Sequence, residues 1–176
     1  MNLEPARIDF TVAIPTYNGE TRLPEVLDKL LAQIHTETFD WEVIVIDNNS
    51  TDNTAKVVQD YQANWPQNCP LRYFQEKKQG AGFARQRAIE EAKSQLIGFL
   101  DDDNLPALDW VPAAYKFGKE YPQAGAYASQ TRPIYEVEPP ENFHRIAPFL
   151  AITQRGSHPL KYEPAKKLLP PSAGLA

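Results

Sequence analysis

The stretch "WEVIVIDNNSTDNT", residues 41–54, begins as an apolar run and ends as a polar cluster. From Val43 to Ile46 the apolar residues are consecutive rather than alternating. A strand built from them is covered on both faces, as in a parallel sheet between layers of helix. The Asp, Asn, Ser and Thr that follow suit a turn, and Ser50, Thr51 and Asp52 are each candidate caps for a next helix.

The same layout recurs on both sides. Strands are expected at Phe10–Ile14, Trp41–Ile46, Leu71–Phe74, Leu96–Leu100 and Gly125–Ser129, most of them about 25–30 residues apart, the spacing of βαβ units. Between them Leu23, Leu27, Leu30, Leu31 and Ile34 keep a helical rhythm, with Pro24 suited to a first turn. Val57, Val58, Tyr61 and Trp65 form a second stripe. Ala84, Ala88 and Ala92 make a small-residue face on a third helix, and Leu108, Val111, Tyr115 and Phe117 mark a fourth. After Arg132 the pattern fades: 8 of the 16 prolines lie from Pro133 onward. Residues 1–132 therefore read as an α/β core. Residues 133–176 read as an irregular, Pro-rich continuation of the same domain. The ending "LLPPSAGLA" has no polar tail and reads as a chain cut short.

Composition narrows the function classes. A formal net charge of −5 gives no basic footprint for nucleic acid. Cys69 is the only cysteine, so no disulfide forms within the chain. The apolar runs are far shorter than a membrane span, and the N-terminus lacks a signal-peptide apolar region. The expectation is a soluble cytoplasmic protein, with peripheral association at the inner face of a membrane left open.

Strands alternating with helices imply a mostly parallel, Rossmann-like sheet whose ligands bind beyond the carboxyl ends of the strands. Three polar clusters sit at such ends: "PTYNGE" (residues 15–20), "IDNNSTD" (46–52) and "LDDDN" (100–104). A strand order of 3-2-1-4 sets all three along one crevice. Tyr17 offers a ring face to a base, and Asp47 and Asn48 offer groups to base or ribose. Asp101, Asp102 and Asp103 would repel a diphosphate, and a divalent cation removes that conflict. Mg²⁺ or Mn²⁺ suits carboxylate and phosphate oxygens. An extended chain would point Asp101 and Asp103 to one side and Asp102 to the other.

At these residues the sequence resembles a family 2 glycosyltransferase of GT-A fold. The matching stretches are "TVAIPTYNGE", "WEVIVIDNNSTDNT", "KQGAGFARQRAIEEAKSQLIGFLDDDN" and, more weakly, "PPSAGLA". The resemblance implies transfer of a sugar from a UDP- or GDP-sugar to a saccharide or lipid-linked acceptor. It also implies metal dependence, inversion, and a place in cell-surface polysaccharide or glycolipid synthesis. Pro15, Tyr17 and Glu20 match a first donor-binding segment, Asp47 an acidic position near base and ribose, and Gly80, Gly82 and Arg85 a segment entering a helix. Asp101–Asp103 match the DxD metal motif, with Asp103 the direct ligand and Asp101 facing the ribose or a metal-bound water. Many relatives carry Asp where this chain has Asn48, which leaves the nucleotide base open, and relatives often have Asn where it has Gln86. The catalytic base of such enzymes follows an "AGL"-like segment. It is expected beyond residue 176, so these residues alone are expected to bind nucleotide weakly and transfer little sugar.

Plainer readings stand beside these. The acidic triplet could be a solvated turn, Asp47–Asn49 a structural turn, Tyr17 a packing residue and Arg85 a surface cation. "QGAGFAR" lacks the third glycine of a dinucleotide fingerprint and does not open the first βα unit. A nucleotidyltransferase or a non-catalytic nucleotide-binding domain remain the alternative functions.

Overall fold

The computed structural model describes residues 8–135, 137–147 and 158–161. Four strands alternate with four helices: β1 (Phe10–Thr16), α1 (Leu23–Leu31), β2 (Trp41–Asp47), α2 (Thr54–Gln62), β3 (Leu71–Gln75), α3 (Ala81–Glu91), β4 (Leu96–Phe99) and α4 (Trp110–Glu120). The strands form one all-parallel sheet in the order β3-β2-β1-β4. Its register pairs Thr16 with Asp47 and Asp47 with Gln75, so the first three strands end level. β4 pairs from Leu96 opposite Phe10 to Phe99 opposite Ala13. The acidic triplet thus begins lower on the same edge.

The consecutive apolar runs split between two faces by the two-residue period of a strand. Phe10, Val12 and Ile14 of β1 and Val43 and Val45 of β2 pack with Leu23, Val26, Leu27 and Leu30 of α1, Val58 of α2, and Trp110 and Val111 of α4. Ala13, Ile44 and Ile46 face the other way, against Ala84 and Ala88 of α3. The small side chains of α3 let that helix lie close to the sheet. Each fully buried Leu or Val of α1 contributes roughly 1.5–3 kcal/mol.

The helices differ from the periodicity at their ends. Ile34 and Trp65 fall beyond α1 and α2, and Leu108 precedes α4. The Ile34 N–H has left the helix to donate to the Leu108 carbonyl (2.9 Å). Trp65 still packs on the core, and its indole N–H donates to the Cys69 carbonyl (2.5 Å). The expected strand Gly125–Ser129 does not form: only Ala128 makes an isolated bridge. This stretch is mostly exposed and has no buried face. Its Tyr127 hydroxyl ties it to α4, donating to the Ala114 carbonyl (2.7 Å). Beyond Arg132 the described residues hold one 3-10 turn, Phe143–Arg145.

At the amino end of the sheet, β2 carries a fully buried carboxylate. Glu42 accepts hydrogen bonds from the Thr11 hydroxyl and the Lys93 N–H (both 3.0 Å) and pairs with Arg72 (2.9 Å). Such a charge is tolerable in the interior only when paired and fully hydrogen-bonded.

Candidate functional site

At the carboxyl ends the loops after β1 and β2 are laced together. The Asn18 N–H donates to Ser50 Oγ (2.9 Å), Gly19 N–H to Thr54 Oγ1 (2.8 Å) and Glu20 N–H to Asp52 Oδ2 (3.1 Å). In return the Thr51 N–H donates to Asn18 Oδ1 (2.9 Å) and the Asn53 N–H to Glu20 Oε2 (2.7 Å). Asn18 and Asn49 adopt positive φ (50° and 67°), which Asn tolerates better than most residues. Gly19 is required by space: a Cβ there would collide with the Thr16 hydroxyl and lie 3.0 Å from Asp102 Oδ2.

The cap position of α2 is Asn53, whose side chain makes no capping bond; Asp52, one residue before it, instead accepts from the Thr54 N–H (3.0 Å) and hydroxyl. Burial alone would raise its carboxyl. The bonds from the Thr54 hydroxyl and from the Glu20 and Thr54 N–H groups outweigh burial and hold it below the ordinary 3.8. A lowered carboxylate contributes stability that is present above its ordinary value and lost as pH falls through the folded one. Asp52→Ala is expected to cost about 1 kcal/mol in urea unfolding at pH 7. Its deficit against wild type should shrink as pH drops below about 4. A deficit that is the same at pH 7 and pH 3 would contradict a role for the Asp52 charge.

The loops enclose a cleft of about 400 Å³. Pro15, Thr16, Tyr17 and Arg22 form one wall, Asn48, Gln79, Gly80 and Ala81 another, and Ala84 and Arg85 of α3 face Asp101, Asp102 and Asp103. Tyr17 is 47% exposed and lines this space. Gly80, at φ 136°, makes the turn into α3 that a side chain would strain.

The acidic triplet is a turn, not an extended strand: the Asn104 N–H donates to the Asp101 carbonyl (3.1 Å). The three carboxylates nonetheless diverge. Asp101 pairs with Arg85 (3.0 Å). Burial pushes the Asp101 carboxyl above its ordinary value; Asp103 and Asp102 add to that, and Arg85 opposes it. Asp102 turns to the opposite wall. It accepts from the Thr16 hydroxyl (2.6 Å), Arg22 Nη2 (2.8 Å) and Arg22 Nε (3.2 Å). Asp103 is exposed, lines the cleft and has no hydrogen bond or ion pair with the described residues.

Of the residues singled out from sequence, Pro15, Tyr17, Asn48, Gly80, Arg85 and the three aspartates line the cleft. Asp47, Glu20 and Gly82 do not. Asp47 is buried behind the wall, accepting from the Tyr73 hydroxyl (2.6 Å) and the Ser50 N–H (2.8 Å). Glu20 serves the loop lacing. Asn48 reaches the cleft edge, but its amide donates to the carbonyls of Glu76 (3.2 Å) and Lys78 (2.7 Å), and its oxygen accepts from the Gly80 N–H (2.7 Å). It clamps the loop between β3 and α3. Arg22 and Gln79 escaped the sequence reading. Arg22 lies just past the quoted "TVAIPTYNGE", and Gln79 lies inside the quoted "KQGAGFAR" stretch without being singled out; only the sheet order brings both to one cleft.

Comparison with known proteins bears on the family and the fold. The model of glycosyl transferase family 2 matches residues 11–171. Dolichyl-phosphate beta-glucosyltransferase ALG5A of Trichomonas vaginalis is 30% identical over 111 residues, 60% of this chain and 34% of its own. Poly(ribitol-phosphate) beta-N-acetylglucosaminyltransferase TarS of Staphylococcus aureus is 33% identical over 112 residues, 64% of this chain and 19% of its own. The crystal structure of S. aureus TarS 1–349 in complex with UDP-GlcNAc superposes at a TM-score of 0.63 with 26% identity, over 77% of this chain and 38% of that one. Mannosyltransferase PcManGT from Pyrobaculum calidifontis, in complex with GDP-Man and Mn²⁺, gives 0.64 with 31% identity, over 72% and 36%. The chain spans about a third or less of these curated relatives. With a parallel sheet ordered 3-2-1-4, its ligand-facing loops on one edge and the family match across nearly its whole length, this chain belongs to glycosyl transferase family 2 and has the GT-A fold.

Proposed function

We propose that this chain is the donor-binding part of an enzyme that transfers a sugar from a UDP- or GDP-sugar to a saccharide or lipid-linked acceptor. Residues 1–132 form the donor-binding core and residues 133–176 begin the acceptor side. The observation that carries the reading is Asp103, exposed and without a hydrogen bond or ion pair among the described residues, in a cleft that Tyr17 and two arginines also line.

The donor set fits Mn²⁺ or Mg²⁺. Among the described residues no three His, Cys, Asp or Glu side chains are arranged to enclose a metal. The protein would therefore supply one or two carboxylates, Asp103 and then Asp101, with the donor's phosphates completing the shell, as is usual for these ions. When bound, the cation neutralises charge that develops on the departing diphosphate. Tyr17 stacks on the base, and Gly80 and Ala81 let the backbone approach the donor closely. Arg85 adds positive field beside the diphosphate. A carboxylate on the acceptor side takes the proton of the attacking hydroxyl, and a single displacement inverts the anomeric centre.

The relatives named above act on dolichyl phosphate or poly(ribitol phosphate), which supports a role in cell-surface polysaccharide or glycolipid assembly. Among the described residues no helix is long and apolar enough to cross a membrane. Work in the cytoplasm, at the inner face of a membrane and by peripheral contact, is our reading for the whole protein.

The test is a thermal shift series with UDP, GDP and their sugars, with and without Mn²⁺. A diphosphate at a hundredfold over its Kd should raise Tm by about 5 °C, and only with the metal present. No response to any of these nucleotides would overturn the proposal.

A further inference from the structure

Three adjacent carboxylates repel one another, yet here each has a different fate. Arg22 grips Asp102 through two nitrogens (2.8 and 3.2 Å), and the same Nη2 donates to the Tyr17 carbonyl (3.1 Å). The Thr16 hydroxyl completes the Asp102 environment at 2.6 Å. Arg85 takes Asp101 on the other side. Asp103 alone keeps its charge open to the cleft. Arg22 lies 80 residues from Asp102 in sequence and joins the loop after β1 to the acidic turn after β4, two walls of one cleft.

We propose that Arg22 is a positioning residue and the built-in counter-cation of this cleft. It holds the wall bearing Tyr17 in register with Asp103. It also lowers the negative potential of the acidic turn, so that a divalent cation binds weakly until a diphosphate arrives with it. This rests on the donor-site reading above. The physical basis is that the Arg22 guanidinium, paired with Asp102 and part-exposed to water, offsets the field of that carboxylate, and that without it the Asp102 charge would act uncompensated on a cation in the cleft.

The experiment measures Mn²⁺ binding without nucleotide, by the loss of the free-ion EPR signal, and UDP and GDP binding with Mn²⁺, by calorimetry. Arg22→Gln is expected to bind Mn²⁺ alone about tenfold more tightly, while diphosphate binding with Mn²⁺ weakens about tenfold. A merely structural role would weaken both. Arg22→Lys keeps the charge and should hold Mn²⁺ affinity near wild type. Arg22→Gln combined with Asp102→Asn removes both charges and should return Mn²⁺ affinity to wild type even if the walls shift. Mn²⁺ affinity that is unchanged or lower in Arg22→Gln, or a double variant as tight as the single, would overturn the inference. Wild-type protein that binds neither diphosphate with Mn²⁺ would instead overturn the donor-site reading, and the Mn²⁺ comparison still decides the role of Arg22.

Discussion

Asp103→Asn is expected to abolish the metal-dependent part of nucleoside-diphosphate binding, a loss of about a hundredfold in affinity. Asp103 makes no hydrogen bond or ion pair with the described residues, only a longer-range attraction to Arg22, so its carboxylate is the one most open to a cation. A full charge beside a divalent ion is worth several kcal/mol at an effective dielectric of about 20, and exposure to water reduces this to about 2–3 kcal/mol. The neutral amide keeps the size and much of the hydrogen bonding, so the fold and its melting temperature should hold. Titration of UDP and GDP with and without Mn²⁺ checks the result. Asp60→Asn, which alters an exposed carboxylate on α2 paired with Lys56, should leave binding untouched. If Asp103→Asn binds diphosphate with Mn²⁺ as wild type does, the acidic turn is not where the metal acts.

The second large effect concerns stability. Arg72→Met should destabilise the protein by about 3 kcal/mol in urea unfolding. Arg72 pairs with Glu42 (2.9 Å), donates to the Glu91 carbonyl (3.0 Å) and lies over the Phe74 ring (4.7 Å). Methionine preserves much of the packing on Phe74. It leaves Glu42 fully buried with two neutral hydrogen bonds and no counter-charge. Breaking one side of a buried pair is costly, whereas removing both charges is often near neutral. Glu42→Gln in the Arg72→Met background should therefore recover most of the loss. A double variant no more stable than Arg72→Met would place the cost in lost packing instead.

Much of the fold was legible in the residue pattern. Consecutive apolar runs bounded by polar clusters marked β1 to β4 within one or two residues at each end. Few topologies join such strands with right-handed crossovers. The error at Gly125–Ser129 came from a short run with no buried face, where local β character had no neighbouring strand to pair with. The helix ends erred for a related reason: Ile34, Trp65 and Leu108 continue an apolar rhythm that the backbone has already abandoned. Of these only Trp65 packs on the core, while Ile34 and Leu108 are exposed, and where a helix stops depends on what the next N–H can reach.

What the sequence by itself determined is the parallel α/β framework, and hence that "PTYNGE", "IDNNSTD" and "LDDDN" gather on one edge. Those facts follow from periodicity and chain connectivity, which are local or nearly so. Only the tertiary structure decided how the polar groups there are spent. Tyr73 and Ser50 consume Asp47, the loop after β3 consumes Asn48, and Arg85 and Arg22 claim Asp101 and Asp102. Asp103 stays open. Most of these partners lie 16 to 80 residues apart, and a charge or amide takes whichever neighbour packing brings within about 3 Å, which composition and spacing do not encode.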